Sequence, residues 1–221
     1  MTEDARKYAD SLTGLPGRSR FDVALPDMLH CARDQEVPLT LAVVDVDHQG
    51  AINEAQGREG GDAVLRALAV SLEQDFLMAG KLYRFGGDAF AVLLPGTSKE
   101  AAFLKLETWR EKLEQAPLEV EQSAAAPVQL SVTVSVGLAA CPDDAMKAPE
   151  LTQKANEALY RAKVSGRNQI CLAREEKMVT KTSHYQQGQL LGLRRLAERK
   201  GIGEAVLLRE ALNDLLRKHN A

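Results

Sequence analysis

Three carboxylates and two cations in this 221-residue sequence stand where a chain can present them to a ligand. Asp45 and Asp47 close an apolar run, 39–46, that only Thr40 interrupts. Carboxylates at the end of such a buried strand suggest a site. Asp88 follows Gly86 and Gly87 between two further apolar runs, 82–85 and 90–94. That pattern reads as a hairpin whose two-glycine turn needs backbone angles other residues tolerate poorly. Lys163 and Arg167 lie at the end of a helical pattern over 149–163, where the helix dipole favours cations in any case. The carboxylates also suit ordinary turns, and Asn53 and Asp62 near helix starts suit ordinary caps. Residue types alone leave both readings open.

The elements that must position these groups alternate between helix-length and strand-length patterns. A long helical stripe runs through Asp62, Val64, Leu65, Leu68, Val70 and Leu72, and strands at 128–138 and 169–172 flank the 149–163 helix. An α/β (α+β) class follows. A chain that is 45% hydrophobic and 27% charged can bury one core and a small second module. No apolar run is long enough to span a bilayer, and the acidic start (Glu3, Asp4) lacks the basic region of a signal peptide, so a cytoplasmic protein without membrane contact is expected. Cys31, Cys141 and Cys171, scattered among apolar neighbours, read as buried free thiols. Residues 173–221 carry 10 Lys+Arg against 6 Asp+Glu, or +4, which leaves 18 against 25, or −7, for 1–172. An acidic body thus carries a basic tail.

Five segments in order resemble one family. Asp10-Ser-Leu-Thr-Gly-Leu-Pro-Gly-Arg18 resembles an opening DxLTGLPNR, and Asp45-Val-Asp47 through Ile52-Asn53, Gly57 and Gly61-Asp62 resembles DxDxFKxINDxxGHxxGD. Arg84-Phe-Gly-Gly-Asp-Ala-Phe90 resembles a signature hairpin. Ser135-Val-Gly137 and the stretch from Ala158 through Lys163 to Gly166-Arg167-Asn168 complete the set. On these motifs residues 10–172, after a lead-in at 1–9, are identified as similar to the GGDEF domain of diguanylate cyclases. The resemblance implies a nucleotidyl-cyclase-like, mostly antiparallel central sheet flanked by helices.

It also implies chemistry. The family joins two GTP molecules into cyclic di-GMP, each domain supplying half of the catalyst. Oxygen ligands at a strand end and a neighbouring hairpin suit Mg2+. By resemblance, Asp45, Asp88 and the Val46 carbonyl would hold the metal, Asp45 and Asp88 would be the catalytic pair, and Asn53 and Asp62 would bind guanine. Lys163 and Arg167, with the loop residues His48 and Gln49, would bind phosphates. Asp47 need not be a ligand. Three features depart from the pattern. Ala89 stands where the signature has glutamate, giving GGDAF; Gln49-Gly50 replaces Phe-Lys; Arg58 and Glu54 replace His and Asp. Losing one preorganised electrostatic group commonly costs about 10²–10³ in rate, so two losses predict turnover that is absent or very weak. The family's Arg-x-x-Asp product-inhibition stretch is here Leu77-Met-Ala-Gly80, so feedback by cyclic di-GMP at that place is not expected.

Beyond residue 172 a patterned segment continues: a Thr-rich strand-length stretch at 178–185, a helical stripe of Leu190, Leu193, Leu196 and Ala197, a break at Gly201 and Gly203, and a second stripe from Val206 to Leu216. Strand, helix, turn and helix with a basic surface resembles a ribbon-helix-helix module over 173–221. Such a module implies an intertwined homodimer and double-stranded DNA binding through Thr180, Thr182 and His184, or through Lys181 and Ser183 if the register slips by one. A helical hairpin that only dimerises or docks a protein partner fits the same leucines. The leading expectation is a dimeric GTP-binding regulatory or scaffold protein of degenerate active site. The alternatives are an active diguanylate cyclase and a nucleotide-independent interaction platform.

Overall fold

The computed structural model describes residues 9–78, 80–120, 128–174, 183, 185–200 and 203–218. The chain divides into two compact units, Met1–Glu175 and Glu176–Ala221.

The first unit is built on strand β1 (Leu39–Val46), buried along its whole length. Its alternate side chains face opposite sides of the sheet. Ala42, Val44 and Val46 join one core with Val64, Leu68 and Leu72 of α2 (Gln49–Phe76) and Leu106 and Trp109 of α3 (Lys99–Gln115). Leu39, Leu41 and Val43 join the other with Phe21, Leu25 and Leu29 of α1 (Arg18–Asp34) and Leu151 and Ala155 of α4 (Ala148–Val164). With β2 (Lys81–Gly86), β3 (Ala89–Pro95), β6 (Val134–Cys141) and β7 (Ile170–Leu172) the strand order is β2-β3-β1-β6-β7, antiparallel except for the β6–β7 pair. The fold is therefore a mixed α+β sheet, mostly antiparallel, flanked by helices.

Several local expectations differ. The single strand read over 128–138 is two: β5 (Val128–Leu130) pairs with β4 (Leu118–Val120) in a separate two-stranded sheet, and β6 begins at Val134. The helix expected from Asp62 begins at Gln49, so Asn53 and Asp62 lie inside a helix rather than at its start. That helix is interrupted at Gly57, whose φ of 71° and ψ of 173° are all but restricted to glycine. Cys31 is exposed, because the buried face of α1 runs through Phe21, Leu25, Leu29 and Ala32 and passes it by; Cys141 is buried and Cys171 half-buried, all three free. Among the described residues no helix is long and apolar enough to cross a membrane.

In the second unit, helices α5 (Gln187–Lys200) and α6 (Glu204–Lys218) are described. Thr180, Thr182 and His184 lie outside the described residues, as does Lys181; Ser183 and Tyr185 belong to no strand. Among the described positions Ala197 and Leu207 are buried, whereas Leu190, Leu191, Leu208, Leu212 and Leu215 are exposed.

Candidate functional site

The carboxyl end of β1 and the β2–β3 turn meet at one rim of the sheet. Asp45 pairs in register with Ala89 across the β1–β3 ladder, and the Val46 amide donates to the Asp88 carbonyl at 3.3 Å. Directly opposite residues of an antiparallel pair share a face. The Ala89 methyl thus stands beside the Asp45 carboxylate, where it offers no oxygen. Gly86 and Gly87, expected to need unusual angles, do not take left-handed ones; Gly87 and Asp88 form the turn, a bulge lies between Arg84 and Gly86, and a Cβ at either glycine would meet nothing within 4 Å. Their lack of side chains leaves open space at the site.

Asp45 is 6% exposed. Burial pushes its carboxyl up from the ordinary carboxylate value, the Lys163 ammonium opposes that shift, and the negative charges of Asp88 and Asp47 add to it. Lys163 Nζ lies 2.5 Å from Asp45 Oδ1. The lysine expected to meet phosphate therefore reaches the carboxylate expected to hold the metal, from the last turn of α4. Among the described residues no three His, Cys, Asp or Glu side chains cluster as a metal site. Two carboxylates and a carbonyl still fit one Mg2+ that shares its remaining positions with water and phosphate.

Asp47, two residues on, is saturated by the protein. Its Oδ1 accepts from Ser135 Oγ at 2.7 Å, and Oδ2 accepts from Thr133 Oγ1 at 3.0 Å and from the Asn168 amide at 2.9 Å. It ties β1 to β6 and to the loop after α4, a role that no local pattern announces.

Beside this rim is a cleft of about 450 Å³ lined by Gln49, Asn53, Arg58, Asp62, Leu65, Gly87 and Asp88. The kinked α2 supplies both arms, Asn53 before Gly57 and Asp62 after it. Gln49 Nε2 donates to the Gly61 carbonyl at 3.2 Å, while its buried Oε1 has no hydrogen-bond partner. A Cβ at Gly61 would strike the Asn53 and Gln49 side chains, so any larger residue there would displace both from the cleft. His48 is exposed, takes a left-handed φ of 57° at the start of α2 and makes no side-chain cap bond. Arg84, from the signature but given no role by sequence reasoning, is 8% exposed; its guanidinium lies 4.6 Å from the Phe90 ring centroid, and Nη1 has no hydrogen-bond partner.

Arg167 lies in the loop that leaves α4. Gly166 (φ 116°) and the bond from the Arg167 amide to the Ala162 carbonyl, 3.0 Å, close the helix in the usual Schellman manner. Arg167 (φ 64°) and Asn168 (φ 45°) then continue in the left-handed region, which costs about 1–3 kcal/mol each for residues other than glycine, least for asparagine. Arg110 of α3, 8% exposed, donates from Nη1 to Asn168 Oδ1 at 2.7 Å and to Glu114 Oε2 at 2.8 Å, and grips Glu107 through Nε and Nη2. Asn168 Nδ2 donates to Glu114 Oε1 at 2.7 Å. Hydrogen bonds to Glu107 and then Glu114 hold Arg110 firmly charged against the effect of burial, and the bonds from Arg110 and Asn168 keep the Glu114 carboxyl below its ordinary value.

Known proteins are similar to this chain. Diguanylate cyclase DgcP of Pseudomonas aeruginosa is 37% identical over 174 residues, 77% of this chain and 25% of that protein. Protein YhcK of Bacillus subtilis is 32% identical over 171 residues, 77% of this chain and 46% of that protein. The chain thus spans less than half the length of these relatives. The coiled coil and GGDEF domain of DgcB from Caulobacter crescentus, solved in complex with c-di-GMP, superposes with a TM-score of 0.68 at 29% identity, covering 77% of this chain and 87% of that one. Residues 7–169 match the model of the diguanylate cyclase GGDEF domain. The chain belongs to the GGDEF family.

Proposed function

We propose that this protein binds a guanine nucleotide, with cyclase turnover absent or weak, and acts as a regulatory or scaffold protein. The observation that carries this reading is the cleft in which Asn53 and Asp62 face Asp88: an amide and a carboxylate match the mixed acceptors and donors of guanine, next to the rim where Lys163 and Arg167 offer charge to phosphate. Asp45, Asp88 and the Val46 carbonyl would hold Mg2+, which when bound neutralises polyphosphate charge. Ala89 adds no ligand there, and Gly50 adds no cation. In the second unit the exposed leucines of α5 and α6 favour pairing with a second copy, because so short a helical hairpin cannot cover them itself.

Isothermal titration with GTP and with cyclic di-GMP in Mg2+, with pyrophosphate release followed on the same samples, tests this reading. Binding of GTP without release supports it. Release at ordinary enzyme concentration restores the working cyclase, and absence of binding leaves an interaction platform. Sedimentation tests the dimer. Duplex binding with a steep salt dependence would add the DNA-binding role that the ribbon-helix-helix resemblance implies for Thr180, Thr182 and His184.

A further inference from the structure

The left-handed pair Arg167–Asn168 is more than helix termination requires. Gly166 and the Arg167 amide already finish α4, yet the backbone stays in a disfavoured region for two further residues. Such a conformation persists only where its surroundings over-determine it, and here they do. The Asn168 amide is fixed on Asp47, its side-chain oxygen on Arg110 and its side-chain nitrogen on Glu114. Arg110 is fixed in turn by both oxygens of Glu107. Arg167 is thereby bracketed: four residues before it Lys163 reaches Asp45, and one residue after it the chain is bonded to Asp47. The guanidinium at the centre of this bracket is exposed and forms no ion pair among the described residues.

We propose that Arg110 and Asn168 are positioning residues, which hold the strained Gly166–Asn168 loop so that Arg167 is presented to the phosphates of the bound nucleotide. This rests on the guanine-nucleotide reading above. Neither residue touches the ligand; each acts through Arg167. Preorganisation of this kind spares the nucleotide the work of ordering a flexible arginine, and a planar guanidinium is suited to a phosphate fork.

A double-mutant cycle on the full chain, read by titration with GTP in Mg2+, tests it. Arg110→Gln should weaken GTP binding by about tenfold, the worth of one charge-assisted contact. Arg167→Gln should weaken it by a similar factor, and the double variant should be no weaker than Arg167→Gln alone. Asn168→Gly, which keeps the left-handed backbone accessible but loses the bonds to Arg110 and Glu114, should reproduce Arg110→Gln and serves if that variant does not fold. Unchanged affinity in Arg110→Gln or Asn168→Gly, or losses that multiply in the double variant, would overturn the positioning role while leaving nucleotide binding intact. No binding of GTP by the wild-type protein would overturn the nucleotide reading itself, and the positioning role with it.

Discussion

Lys163, in the last turn of α4, places its ammonium 2.5 Å from Oδ1 of Asp45 at the end of β1, so a buried carboxylate of the site is balanced from within the chain. Replacing Lys163 with methionine should destabilise the protein near neutral pH by roughly 1–2 kcal/mol, less than the ~3–5 kcal/mol of a fully buried pair, because Lys163 keeps 33% of its side chain in contact with water. The sign of the pH dependence follows from Asp45. Its carboxyl is raised in the fold, so its contribution to stability is complete below the unfolded value and is lost as pH rises through the folded one. Without the lysine that loss is larger, so the gap between variant and wild type should close on acidification. Thermal melts from about pH 3 to pH 8 check this.

Ala89→Glu restores the signature residue directly opposite Asp45 in the ladder. Like charges at directly opposite positions repel. The variant should melt at a lower temperature than wild type in EDTA, recover in Mg2+, and gain pyrophosphate release by a factor on the order of 10² or more. A variant as stable as wild type in EDTA would show that residue 89 does not face Asp45.

Asp47→Ala removes an acceptor from two hydroxyls and one amide at once. Leaving them without a partner should cost roughly 2–4 kcal/mol in urea unfolding, although Asp47 is not placed among the metal ligands. An unchanged midpoint would mean that water replaces the carboxylate without loss.

Acid should loosen the loop after α4. The Glu114 carboxyl is held below its ordinary value by Arg110 and then Asn168, so its contribution is present above the unfolded value, 4.5, and fades as pH falls through the folded one. Glu114→Gln should flatten that part of the acid limb of a stability curve measured by urea unfolding.

The parts of the molecule written in local patterns were legible in the sequence. Leu39–Val46 is a doubly buried strand and reads as one, and α4 and the β2–β3 hairpin carry their own periodicity and turn residues. The family motifs named Asn53, Asp62 and Asp88, which the fold gathers in one cleft. What escaped was tertiary. Arg110 and Asn168 are 58 residues apart and meet only because α3 packs on β6 and β7, next to the loop that leads into β7. Nothing near Arg110 in sequence separates it from an ordinary surface arginine of an amphipathic helix. The two glycines of the hairpin misled in the opposite direction, since their residue type suggests left-handed backbone angles and neither adopts them.

At Gly57 the α2 helix is two arms joined at a kink, with Asn53 on one and Asp62 on the other. The pair works as callipers. The jaw width that a base would experience depends on the backbone angles at Gly57 together with the Gln49–Gly61 bond that spans the kink, and a methyl group at position 57 would strain those angles. Substitution at a position that touches no ligand would then change which ring fits between the jaws.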